Sequence, residues 1–102
     1  MNNIVWLSKW YKENCNGDWE HDYGILIETL DNPGWSIRVD LTDTDIRIKD
    51  KSWSLYEEKE NDWYGYKIED GKFEASGDEM KLDFLIGIFR KIVLEYKDSF
   101  QQ

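Results

Sequence analysis

The chain has 102 residues, 40% of them apolar and 16% aromatic, which is the length of one domain and enough bulk to close a core. This aromatic content and the single proline exclude a disordered chain, and a net charge of −9 disfavours nucleic acid and anionic membranes while favouring basic proteins or cations. The same charge would also serve simply to keep an aromatic-rich protein soluble.

The expected location follows from the cysteine content and the N-terminus. Cys15 is the only cysteine, so no internal disulfide can form, as is typical of a reducing cytoplasm. The N-terminus lacks a basic segment followed by an apolar one, and no stretch approaches the roughly 18 apolar residues of a membrane span. We expect a cytoplasmic protein in which residues 1–102 form a single domain.

An amphipathic helix is predicted over residues 3–14. Asn2 or Asn3 can cap its first turn, and the Asn-Gly pair at residues 16–17 ends it. Its apolar stripe consists of Ile4, Trp6, Leu7, Trp10 and Tyr11. We expect both tryptophans of this stripe in the core.

A β-hairpin is predicted next. Residues 23–31 indicate a strand with apolar side chains on both faces, and residues 35–41 alternate between apolar and polar side chains. The Asn-Pro-Gly sequence of residues 32–34 predicts a type II turn, in which the proline presets the first corner and the glycine takes a positive φ. Trp35 lies on the apolar face of the second strand and is expected in the core.

Three further strands are predicted in the second half, at residues 53–58, 63–69 and 72–75. An irregular segment at 41–45 precedes them, with a short pairing considered at 46–48. The Asp-Gly pair between the last two strands is a strong hairpin signal.

The chain is expected to end in a helix capped by Asp78. Its apolar stripe consists of Leu82, Leu85, Ile86, Phe89, Ile92, Val93 and Tyr96. Glycine inside a helix costs roughly 1 kcal/mol, so Gly87 indicates close packing against the sheet. The predicted fold is α+β: an N-terminal helix, an antiparallel meander sheet of about five strands and a C-terminal helix, with the helices on one sheet face.

Enzyme chemistry has little support in the pattern. Cys15 and His21 would serve as nucleophile and base, but no catalytic signature surrounds them, and free cysteine at a helix end is more often a small buried hydrophobe. With 22 acids, some pair always meets the separation that glycoside hydrolysis requires. A small thiol-dependent enzyme remains the alternative from another class.

Metal binding is not indicated either. Glu20, His21 and Asp22 are adjacent, so on an extended segment they point to alternate faces and cannot converge on one ion. The acidic segment 40–45 lacks the glycine and the terminal glutamate of an EF-hand loop. We predict no metal and no cofactor.

Protein recognition is the remaining class, because interfaces are enriched in tryptophan and tyrosine. Trp19 precedes the first strand and Trp63 follows an acidic turn, so both are candidates for partner contact. Basic residues are scarce around them, which disfavours stacking on nucleic acid bases. A small-ligand-binding domain that uses exposed tryptophans is a further alternative.

The first half of the chain carries a specific set of motifs. They are Trp10-Tyr11, Cys15-Asn16-Gly17-Asp18-Trp19-Glu20-His21, Tyr23-Gly24-Ile25, Glu28-Thr29, Asp31-Asn32-Pro33-Gly34-Trp35 and Asp40-Leu41-Thr42. In these residues the chain resembles the immunity protein 53 family of bacterial polymorphic toxin systems, densely over residues 6–42 and more loosely around Asn61-Asp62-Trp63 and Ile88-Phe89-Arg90. The resemblance implies a cytoplasmic, non-enzymatic antidote that binds a cognate toxin domain. It fixes neither the activity of the toxin nor the binding site.

The acidity suits such a role. Immunity proteins often oppose nucleases, whose basic grooves an acidic surface would block, and charge attraction speeds encounter to roughly 10⁸–10⁹ M⁻¹s⁻¹ at low salt. The predicted contact surface consists of Trp19, Glu20, His21, Asp22 and Trp63, with an acidic rim of Asp43, Asp45, Glu57, Glu58 and Glu60. The protein is expected to act as a monomer or weak homodimer that binds a basic toxin surface, without nucleic acid or membrane partners.

Overall fold

The computed structural model describes residues 1–99, which contain three helices and five strands. The elements are α1 Asn3–Asn14, α2 Trp19–Asp22, β1 Ile25–Leu30, β2 Gly34–Asp40, β3 Lys51–Lys59, β4 Asp62–Glu69, β5 Lys72–Gly77 and α3 Leu82–Ser99. The predicted α+β fold is confirmed, and α1 starts as expected, with Asn2 Oδ1 accepting from Val5 N–H at 2.8 Å. None of the helices in the described residues has the length and apolar character to span a bilayer.

The five strands form one antiparallel sheet in the order β1-β2-β5-β4-β3. Hairpins join consecutive strands except between β2 and β3, where residues 41–50 carry the chain across to the far edge. The short pairing considered at 46–48 is absent, because Ile46 is buried in the core and its N–H is bonded to the Thr44 hydroxyl at 3.2 Å. β1 and β3 are therefore the edge strands.

The β1–β2 hairpin forms, but the predicted type II turn is wrong. The turn occupies residues 31–33, and Gly34 begins β2 without a positive φ. A Cβ on Gly34 would overlap the carbonyl oxygen of Gly77 on β5. Glycine is required there because two strands approach closely. At the β4–β5 turn, Asp70 and Gly71 do take positive φ values of 52° and 75°, as the Asp-Gly signal predicts.

The core lies between the helices and one face of the sheet, where α3 packs on β5 and β2 and α1 packs on α3. Trp10 is only 3% exposed, and its ring meets Phe89 edge-on with centroids 4.9 Å apart. Trp6 and Trp35 are half-buried and pack against the same core. These tryptophans lie where the sequence places them, although only Trp10 is buried completely enough to count as core.

Two predicted details of the C-terminal helix are wrong. α3 begins at Leu82, and the Asp78 carboxylate accepts from Met80 N–H at 2.9 Å in the preceding turn, so it does not cap the helix. A Cβ on Gly87 would lie 3.0 Å from Asn3 Nδ2. The glycine therefore makes room for the Asn3 side chain of α1 and not for the sheet.

Candidate functional site

The segment before β1 is a structural corner built around a buried tryptophan. Trp19 has 0% exposure, its ring meets Trp10 edge-on at 5.6 Å, and its Nε1 donates to the Asp40 carbonyl at 2.9 Å. The indole thus joins α1 to the end of β2. The prediction that Trp19 contacts a partner is wrong, because its apolar surface is already used by the core.

Glu20 holds the same corner together. Its carboxylate accepts from the N–H groups of Asn16 and Gly17, both at 2.8 Å. Hydrogen bonds from backbone N–H groups, its own first and then those of Asn16 and Gly17, lower the pKa of Glu20. The Asn16 side chain in turn accepts from Asp18 and Trp19 N–H at 2.9 Å. The acid is therefore engaged within its own loop.

His21 and Asp22 are the accessible part of the predicted contact group. Their side chains are 83% and 59% exposed and lie 3.9 Å apart. Tyr23, 41% exposed, follows them. Together these three residues form a small polar surface at the start of β1.

The predicted acidic rim is divided between the two ends of the sheet. The last residue of β2 and the first residue of β3 lie at the same end of the sheet. Asp43 and Asp45 lie at this end, near α2. Glu57, Glu58 and Glu60 lie at the opposite end, where β3 finishes. All five are exposed. Since β3 has nine residues, the two ends are separated by roughly 25–30 Å at about 3.3 Å per residue. The structure therefore brings the predicted residues together as two groups.

Trp63 lies at the same end as the three glutamates, half-buried, and its backbone is tied to a buried carboxylate. Trp63 N–H donates to Asp78 at 2.9 Å, and Lys81 Nζ bonds both Asp78, at 2.7 Å, and Asp62, at 2.6 Å. Burial alone would raise the pKa of Asp78, but hydrogen bonds from Lys81, Met80 and Trp63 lower it to about 2. This network anchors the start of β4 to the end of β5.

The exposed apolar side chains of β3 were not predicted as functional. Trp53, Leu55 and Tyr56 are 45%, 54% and 45% exposed. The Trp53 ring covers Gly65, where any Cβ would collide with it. The signal available was a strand that is apolar on both faces, but such strands are usually central and buried. The strand order, which the sequence does not show, places this one at the edge.

A groove of about 570 Å³ runs between α3 and the outer strands β3 and β4. We call it the tyrosine groove and define it by Tyr56, Tyr64, Tyr66, Phe84, Ile88 and Ile92. It exists because α3 packs over β5 and β2 and leaves the tyrosines of the outer strands beside it. Burial, then the neighbouring Tyr56, Tyr64 and Glu95, raise the pKa of Tyr66. The groove is therefore an apolar channel with hydroxyl and carboxylate groups on its walls.

Cys15 follows the end of α1, one helical turn after Tyr11. The charge interaction and hydrogen bond with Cys15 raise the pKa of Tyr11 above its ordinary value. The carboxylate beside His21 is that of Asp22. Within residues 1–99, no three histidine, cysteine, aspartate or glutamate side chains are grouped so as to hold a metal ion.

Comparison with known families covers nearly the whole chain. The family described as immunity protein 53 matches residues 4–94. The chain belongs to the immunity protein 53 family. This confirms the resemblance found in the motifs of residues 6–42. Searches of curated proteins and of solved structures gave no match.

The motif residues of this immunity protein 53 member have structural roles. Asn16, Trp19 and Glu20 close the corner before β1, and Gly34 permits the approach of β2 to β5. Trp35 Nε1 donates to the Glu79 carbonyl at 2.9 Å and so fixes the segment ahead of α3. These motif residues therefore build part of the architecture, while His21 beside them is exposed.

Proposed function

We propose that this protein neutralises a cognate bacterial toxin by binding its toxic domain in a one-to-one complex. The observation that carries the proposal is the match of the immunity protein 53 family to residues 4–94. The toxin belongs to a polymorphic toxin system used in contact-dependent competition. The complex forms in the cytoplasm of the producing cell and its kin, with the antidote acting as a monomer or weak homodimer.

The charge of the protein supports a toxin with a basic surface. Within residues 1–99, four of the 22 acidic residues pair with a lysine, so most of the carboxylates have no cationic partner from the protein itself. A nuclease binds phosphate groups in a basic groove and is a toxin of this kind. An acidic antidote would both attract such a toxin and compete with its substrate.

Inhibition by binding requires no bond to be made or broken. A thiol enzyme would need a general base beside Cys15, and the group that interacts with this thiol is the phenol of Tyr11. Ligand binding by exposed tryptophans cannot involve Trp19, which is buried. Stoichiometric binding is the function that these observations favour.

Co-expression with the candidate toxin tests the proposal. The candidate is the C-terminal domain of the protein encoded by the adjacent upstream reading frame. We expect the antidote to restore growth of cells that express this toxin domain, and calorimetry on the purified pair to give one-to-one binding in the nanomolar range or tighter. The Cys15→Ala variant should protect cells as well as wild type does. Two purified proteins that ignore each other at micromolar concentration would overturn the proposal.

A further inference from the structure

We propose that the toxin docks on the β3 side of the molecule and inserts an arginine or lysine side chain into the tyrosine groove. This inference rests on the proposed function and narrows it to one surface and one kind of contact. It does not use the two regions marked by the sequence motif, the corner at α2 and the β1–β2 hairpin.

The rings of the groove are accessible and held in place. Tyr56 and Phe84 are each 45% exposed. Tyr64 lies between them, stacked on Tyr56 at 4.8 Å and meeting Phe84 edge-on at 4.6 Å. Since the three rings support one another, little side-chain entropy is lost when a partner covers them.

The charge at the groove is suited to a cation. Two carboxylates, Asp83 and Glu95, line it against a single ammonium group, that of Lys91. Glu57 and Glu58, both exposed, directly follow Tyr56 along β3. A basic side chain that enters the groove beside Tyr56 therefore meets a surplus of negative charge, while Lys51 offsets Glu95 at the Tyr66 end.

The protein already places one of its own cations on this set of rings. Lys51 Nζ lies 4.2 Å from the centroid of Tyr66, at one end of the groove. Ammonium and guanidinium groups are attracted to the electron-rich face of an aromatic ring. The exposed ring of Tyr56 offers the same attraction to a cation supplied by the toxin.

Two alternatives fit less well: a second copy of the chain in the groove, and the toxin on the face of the sheet that the helices do not cover. A second copy of the chain also carries a charge of −9, so charge repulsion opposes its approach. On the helix-free face of the sheet, Lys67 already pairs with Glu69 and Glu74 at 3.4 and 3.3 Å. Within residues 1–99, Asp83 and Glu95 of the groove form no such ion pair, so their charge is left to attract a basic partner.

Tyrosine variants with matched exposure test the proposal. Tyr56→Ala should weaken binding of the same toxin domain by about tenfold or more in calorimetry, because the ring face is lost. Tyr56→Phe keeps the face and should stay within about threefold of wild type. Tyr23→Ala is the control: this tyrosine is 41% exposed but lies at the opposite end of the sheet, and its loss should leave affinity unchanged.

Further variants separate folding, surface and function. If urea unfolding shows that Tyr56→Ala is unfolded, Tyr56→Leu replaces it, since leucine keeps the apolar bulk without a π face. Glu95→Lys should weaken binding about tenfold by repelling the cation. Wild-type affinity in both the Tyr56 and Glu95 variants overturns the docking proposal while leaving the proposed function intact, whereas a wild-type protein that does not bind the toxin contradicts the function itself.

Two further results would show that the toxin does not occupy the tyrosine groove. If Trp53→Ala loses toxin binding while Tyr56→Ala binds as wild type does, the toxin lies on the helix-free face, and the proposal is overturned. Ultracentrifugation tests whether wild type forms a homodimer that Tyr56→Ala dissociates. If it does and the variant still binds the toxin with wild-type affinity, the groove binds a second copy of the chain. The proposal is then equally overturned.

Discussion

Asp78 joins three segments at one end of the sheet. Its carboxylate is 2% exposed and accepts from the N–H groups of Trp63 and Met80 and from the ammonium of Lys81. A hydrogen bond to a charged acceptor contributes roughly 1.5–3 kcal/mol, against about 0.5–1.5 kcal/mol for a neutral one. We expect Asp78→Asn to lower the free energy of unfolding by about 1.5–3 kcal/mol at pH 7, as measured by urea denaturation.

The contribution of Asp78 should also depend on pH. Its pKa is about 2 in the folded protein against an ordinary value of 3.8, so the stabilisation is complete above the ordinary value and is lost as the pH falls toward 2. Urea unfolding of wild type and Asp78→Asn between pH 6 and pH 2 measures this. The difference in unfolding free energy should shrink below about pH 5. A difference that stays constant would show that the carboxylate charge is not responsible.

At the scale of elements, the union of β2 with β5 depends on a glycine. Gly34→Ala would place a methyl group against the carbonyl oxygen of Gly77, and a backbone atom cannot rotate away. The two strands would have to separate at this end. We expect a loss of about 3 kcal/mol in the free energy of unfolding, the upper part of the usual range for overpacking.

Gly17→Ala is the matched control for this substitution. Gly17 has a φ of +98° and no atom within 4 Å of the added methyl group, so backbone strain alone should cost about 1 kcal/mol. Urea denaturation of both variants makes the comparison. Equal losses would mean that crowding between β2 and β5 is not the cause.

The edge strand β3 exposes its side chains, but its irregular pairing hinders the addition of a further strand to its backbone. Its pairing with β4 shifts register between Lys51 and Ser54 and again between Glu57 and Lys59. Such irregularities twist an edge and hinder the addition of a further strand from another copy. Side chains rather than backbone groups are therefore the part of β3 offered to a partner.

At the scale of the whole molecule, the acidic end of β3 should steer the toxin. We expect the triple change of Glu57, Glu58 and Glu60 to lysine to slow association by about tenfold or more at low salt and to flatten its salt dependence. Stopped-flow mixing at several salt concentrations measures both effects. The reason is that long-range attraction acts on the encounter step, before any contact forms.

A control with the same change in net charge tests where the steering originates. Three exposed acids nearer the other end of the sheet provide it: Glu13, Asp22 and Asp45. At 0.1 M salt their change to lysine should slow association by no more than about threefold, since exposed charges farther than about 10 Å are largely screened at that concentration. Equal slowing in both triple variants would attribute the attraction to net charge alone.

The sequence by itself determined α1, α3, the five strands and the Asp-Gly turn, but neither α2 nor the turn before β2. These features depend on neighbours along the chain: helical spacing in α1 and α3, alternation in the strands, and the Asp-Gly turn before β5. The family likewise followed from motifs within residues 6–42, because those residues build a local corner and a hairpin. Backbone conformation is largely a local property, so these predictions needed no knowledge of the packing.

Only the tertiary structure decided the strand order and which side chains face outward. Trp19 is buried because the fold packs Trp10 and the end of β2 at Asp40 against it. Trp53 is exposed because β3 lies at the edge of the sheet. The tyrosine groove likewise depends on where α3 crosses the strands. Burial is set by contacts between residues far apart in the chain, and a pattern of neighbouring residues does not contain them.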